Sequence, residues 1–180
     1  VGTIGVYQSG SGSKFNLYLQ GSGAPWANED YGNDHSMAKA GCGPTAAAII
    51  SSGYNASINP STFRAKMIQL YGTGNHSSAT LIEKAFNQLV PGVKTETTTS
   101  FDENKIRNCL KSGGQVWLVV SHCKYTSGAH CIALIDYNSS NDQVYVAHGT
   151  AKSRPYGWDS LSYIKSYFKS GDGVLYIGGK

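Results

Sequence analysis

Apolar positions change period partway along the chain. Before residue 112 they recur at helical spacing; after it they gather in short dense runs. Ala40–Ser52 is small and apolar, is closed by Gly53, and carries Pro44 in its first turn, so it reads as a buried helix. Asn59-Pro60 opens a second helix, with Phe63, Met67, Leu70 and Tyr71 on one face. Residues 79–89 give a third, with Leu81, Ile82, Ala85, Phe86 and Leu89 in register, stopped by Pro91-Gly92. Ser100 and Glu103 form a capping box for a fourth, which carries Ile106, Cys109 and Leu110 up to Gly113-Gly114.

The later runs are Gln115–Ser121, His130–Tyr137, Gln143–His148 and Gly173–Gly178. Turn residues separate them, which predicts short strands in an antiparallel meander. Between the last two, Asp159 is placed to cap a short helix bearing Leu161, Ile164 and Phe168. Helices followed by strands predict an α+β fold, N-terminal helices packed on a C-terminal sheet. Residues 1–13 are rich in Gly and Ser and predict a flexible lead-in, which leaves 14–180 as one domain. Gly21–Gly32 is a second loop-rich stretch.

Composition narrows the classes. Charged residues are 14% of the 180, well below the roughly 25% of an ordinary soluble domain. Twenty-two Gly with many Ser, Thr, Asn and Tyr supply the polar surface, a mix common in exported proteins. Net charge is +4, and the basic residues are scattered, so no nucleic-acid patch is present. Such a charge is compatible with an anionic cell wall without selecting one. No run approaches the ~18 apolar residues of a membrane span. The chain opens on Val rather than Met, which fits a module of a larger exported or phage-borne multidomain protein. Four Cys (42, 109, 123 and 131) contain no CxxC pair, against a zinc ribbon or a thioredoxin motif.

Cys42 carries the sharpest chemical signal. It lies at the start of a helix between Gly41 and Gly43-Pro44. Unpaired N–H groups and the positive end of the helix dipole lower a thiol's pKa there and make a thiolate nucleophile. The bland alternative is a small buried Cys in an Ala-rich helix. A Cys nucleophile wants an imidazole base and a third group to orient it. His130 opens an apolar strand beside the Gly128 loop and is the best base; His122, ending the preceding strand, competes. The pairs His122-Cys123 and His130-Cys131 raise a zinc site, but neighbours on a strand face opposite sides and cannot easily share one ion. Cys109, Cys123 and Cys131 read as core thiols. Trp26, Tyr31, Trp117 and Trp158 are candidates to line a groove, although such aromatics usually belong to cores.

Pro25-Trp26-Ala27-Asn28-Glu29-Asp30-Tyr31-Gly32, then Ala38-Lys39-Ala40-Gly41-Cys42-Gly43-Pro44-Thr45-Ala46, resembles the C39-like cysteine peptidases. Gly113-Gly114-Gln115-Val116, Gly128-Ala129-His130 with its apolar run to Asp136-Tyr137, and Val144-Tyr145-Val146-Ala147-His148-Gly149 resemble later segments of that family in the same order, over about residues 18–150. The Cys segment is the specific part. The resemblance implies a papain-like fold, Cys42 as nucleophile, His130 as base, and Gln20 as an oxyanion donor beside the Cys42 backbone N–H. The acyl transfer expected of these residues requires no metal and no organic cofactor.

The third group departs from the family pattern. Asp or Asn is usual where His148 stands, and Gly149 replaces Pro. A neutral imidazole can accept from the His130 N–H, so His148 is expected to orient the base. Asp136 lies six residues along the same strand, about 20 Å if extended, too far for contact; Asp142 is a weaker turn residue. The expected activity is peptidoglycan hydrolysis of the endolysin kind, cutting stem or cross-bridge peptides or the muramyl–peptide amide, at the extracellular cell wall. A cysteine protease acting on polypeptides is the alternative, and an inactive wall-binding module a third reading.

Overall fold

A computed structural model describes residues 2–32, 35–74 and 76–179. Val1 and Lys180, the outer ends of the expected lead-in and domain, lie outside the described residues. The chain begins with a hairpin, β1 (Thr3–Gln8) and β2 (Lys14–Tyr18), followed by the short strands β3 (Asp30–Gly32) and β4 (His35–Ser36). Helices α1 (Met37–Ala40), α2 (Cys42–Ser52), α3 (Pro60–Tyr71) and α4 (Ala79–Leu89) follow. Then come β5 (Thr95–Thr98), α5 (Glu103–Lys111), β6 (Gln115–Cys123), β7 (Thr126–Asn138), β8 (Gln143–Ala147), β9 (Gly157–Ser160), α6 (Leu161–Tyr167) and β10 (Val174–Ile177).

The α+β expectation holds, and the three long N-terminal helices sit where periodicity puts them. Residues 3–8 correct the flexible lead-in. They form β1, paired antiparallel with β2. The Tyr7 ring stacks on Tyr145 with centroids 3.8 Å apart, and its hydroxyl donates to Asp136 at 2.6 Å. Gly10 N–H reaches the same carboxylate at 3.1 Å. Two caps also differ from expectation. Asp102, not Ser100, caps α5 by accepting from Lys105 N–H, and Ser160, not Asp159, caps α6 by accepting from Tyr163 N–H. Asn59 caps α3 by accepting from Thr62 N–H.

The main sheet is antiparallel with strand order β5-β10-β6-β7-β8-β9. Of the expected meander β6, β7 and β8 follow in order; β9, not expected as a strand, extends them, and β10 returns to lie between β5 and β6. One face carries Trp117, Val119, Cys131, Ala133 and Ala147 against α2, α3 and α4. The other carries Leu118, Val120, Ile132, Leu134 and Val146 against α5 and α6. Helices therefore cover both faces, which is why these strands read as continuous apolar runs rather than alternating ones. Helix α2 is the centre of the first layer: every residue after Cys42 is buried. A helix apolar all round belongs inside a core. Its Ser51 and Ser52 hydroxyls satisfy themselves on the carbonyls of Ala47 and Ile49.

Candidate active site

Cys42 is the first residue of α2, after an N-cap Gly41 that makes no side-chain bond. The helix start is pinned to the sheet by Trp117, whose Nε1–H donates to the Gly43 carbonyl at 3.2 Å. A side chain at position 43 would meet the Ser77 hydroxyl at 2.8 Å, so only glycine lets that residue approach. Cys42 opens on a cleft of about 400 Å³, lined also by His35, Lys39, Ser77, His130, Cys131 and Asp172. Lys169, at the same cleft, is paired with Asp172 at 2.7 Å.

The thiol of Cys42 is held well below its ordinary range. A hydrogen bond from the Cys131 thiol is the largest cause. It acts with a hydrogen bond and the charge of His130 against burial, which pushes the other way. Cys131 is correspondingly pushed well above its range by Cys42 and by burial. The expectation that Cys131 is a plain core thiol is therefore corrected: it is buried, but its sulfur faces Cys42. Cys109 is an inert contrast, pushed up to about 11 mainly by burial.

His130 lies near the start of β7, opposite Val120, and is buried. His148 follows directly after β8 and is fully buried. The structure brings the two rings together at 5.1 Å between centroids, one edge-on to the other at 82°. Contact between them differs from the expected direct bond. Thr150, which the sequence did not single out, stands between: its Oγ1 is 3.3 Å from His130 Nε2 and 3.1 Å from His148 Nδ1. His148 Nε2 donates to the Pro155 carbonyl at 2.7 Å, and its Nδ1 accepts from Thr150 N–H at 3.2 Å. Burial, with the charge of His130, lowers the His148 pKa to about 4.

Gln20 is buried beside this loop. Its backbone N–H donates to the Gly149 carbonyl at 2.9 Å and its Nε2 donates to the Ala38 carbonyl at 3.0 Å. One of its two amide hydrogens is thus engaged; Oε1 has no partner among the described residues. Asp136 is held by Tyr7 and Gly10. Asp142 is held by Arg107 and Tyr137, away from the cleft. His122 is exposed near the end of β6, where the register with β7 shifts, with φ 52°. No three metal-capable side chains gather among the described residues. None of the four groove aromatics lines the cleft. Trp26, Tyr31 and Trp117 are core, and Trp158 packs edge-on against Tyr145. A second cavity of about 420 Å³ lies between β5, β10 and α5, but its lining includes Cys109 and no His.

A cysteine with a lowered pKa at a helix start, facing a strand-borne imidazole across a cleft, is suited to acyl transfer. Comparison with known proteins agrees. No curated protein gives a significant match. A C39-like peptidase from Bacillus anthracis superposes with a TM-score of 0.58 at 12% identity, covering 78% of this chain and 90% of that one. The peptidase domain of Streptococcus ComA, a bi-functional ABC transporter of a quorum-sensing pathway, gives 0.52 at 14% identity, covering 78% and 93%. These likenesses establish a shared fold. The family model described as the Peptidase_C39 like family matches residues 17–171. The chain belongs to that family and is a cysteine peptidase.

Proposed function

We propose that this peptidase hydrolyses peptide or amide bonds of the bacterial cell wall by acyl transfer to Cys42. The observation that carries the chemistry is Cys42 at the start of α2, on the same cleft as His130 and Cys131, which together hold its thiol below its ordinary range. The thiolate attacks the carbonyl carbon, and the oxygen takes the charge. In this reading the Cys42 backbone N–H, one of the unpaired donors of the first helical turn, and the second amide hydrogen of Gln20 would be the donors to that oxyanion. His130 gives its proton to the leaving amine. It then takes a proton from water as the water attacks the thioester, which releases the acid and restores Cys42. The chemistry as written needs no metal or organic cofactor.

Wall peptides are favoured by surface physics. The chain is weakly charged at 14% and carries +4 overall, which suits work on an anionic polymer outside the cell. The cleft presents Lys39 and the Lys169–Asp172 pair, able to meet the carboxylate and amino groups of branched stem peptides. The fold shared with the ComA peptidase domain favours a second reading, cleavage of a polypeptide by a module of a larger protein.

Incubation of the protein with purified Gram-positive walls, followed by mass spectrometry of the soluble products, separates these readings. New amino termini on muropeptides are expected. Untouched walls together with cleavage of a denatured protein would give the second reading instead.

A further inference from the structure

We propose that Thr150 is a positioning residue, whose hydroxyl relays between His148 and His130 and fixes which nitrogen of His130 carries the proton. The proposal rests on His130 being the base. It starts from the Pro155 carbonyl, which can only accept. At 2.7 Å from His148 Nε2 it requires a proton on that nitrogen. His148 is fully buried, so its ring is neutral and Nδ1 is a bare acceptor. Thr150 supplies both of the donors on it, the backbone N–H at 3.2 Å and the hydroxyl at 3.1 Å.

A threonine hydroxyl has one hydrogen. With that hydrogen aimed at His148, Oγ1 turns its lone pairs to His130 Nε2 at 3.3 Å. Nε2 of His130 is then the donor, and Nδ1 is left for Cys42, which bonds the same ring. The order of polarity runs one way, from a carbonyl that only accepts to a ring whose Nδ1 is left to exchange its proton with Cys42. The hydroxyl and neutral imidazole together occupy the place of a single side chain that would accept directly. They stabilise the imidazolium by dipoles rather than by a full negative charge.

Two variants and one spectrum test the assignment. Thr150→Val keeps the shape and removes the relay; Thr150→Ser keeps the relay. In the valine variant kcat is expected to fall at least about tenfold, with KM within about threefold. The pH at which iodoacetamide alkylation of Cys42 reaches half its maximum should rise. Thr150→Ser should restore both. Wild-type kcat and alkylation profile in Thr150→Val, or equal damage in Thr150→Ser, would overturn the role. Should Thr150→Val not fold, nitrogen-15 spectra of Cys42→Ala still decide: a proton on Nε2 of His130 supports the relay, and one on Nδ1 refutes it. The base itself is checked apart, because His130→Ala with an unchanged alkylation profile removes His130 whatever Thr150 does.

Discussion

The Cys131 thiol donates a hydrogen bond to Cys42, which holds the Cys42 thiol well below its ordinary range while that of Cys131 is pushed well above it. That bond is the largest stabilisation of the Cys42 thiolate. Cys131→Ala should therefore raise the Cys42 pKa by about one unit, as expected for losing a hydrogen bond to a charged group. Alkylation on the acid side of the wild-type midpoint should slow about tenfold and converge with wild type at high pH. Stopped-flow labelling across pH checks this; superimposed profiles would contradict it.

Labelling should also be selective. At pH 7 one equivalent of iodoacetamide should modify Cys42 well before Cys109, whose thiol is buried and pushed up to about 11. Peptide mapping reads the order. Cys42→Ala should retain the fold and lose hydrolysis entirely, a loss of at least about a thousandfold.

His148 predicts a pH-dependent stability. Its folded pKa, about 4, lies below the ordinary 6.5, so the unfolded chain binds more protons between those values. The groups around it are the Tyr125 and Tyr156 rings, His130 and Thr150. Stability should be full above pH 6.5 and fall as pH drops towards 4. The loss attributable to this residue is as much as about 3 kcal/mol at 1.36 kcal/mol per unit. Urea titrations at several pH values measure it, and His148→Gln should flatten the slope.

Gly149 ties the loop of His148 and Thr150 to Gln20. A Cβ there would meet the Gln20 Cβ at 2.5 Å, and its Oε1 and the Thr45 methyl each at 3.0 Å. Gly149→Ala should cost about 1–3 kcal/mol through overpacking. By shifting Gln20 it should lower kcat more than it raises KM. Thermal melts and steady-state kinetics on the same preparation separate the two effects.

Helices α2, α3 and α4 and strands β6 to β8 were legible because their apolar positions repeat over two or more turns or pleats. Strands β5 (TETT) and β9 (GWDS) are short and, unlike the equally short β10, carry no dense apolar run. Strand β1 hides in a Gly/Ser-rich segment and is held by tertiary contacts, Tyr7 with Tyr145 and Asp136, that no local pattern shows. Cys42, His130 and His148 were visible as residues, and the structure brings the last two rings together with Thr150 between them in place of the expected direct bond. Thr150 was not visible, and Cys131 was read only as a core thiol. Thr150 matters only because the turn after His148 folds its hydroxyl between two rings. Cys131 matters only because β7 begins beneath the start of α2. A neighbour two positions past the expected third residue was the available signal for Thr150.

The placement of β10 sets a schedule. Val174–Ile177 pair with β5 on one side and β6 on the other, so a nascent chain lacking them exposes two unpaired sheet edges. During synthesis the strand bearing His130 emerges well before the sheet behind it can close. Peptidase activity should therefore switch on late, when the ribosome has released residues beyond 177.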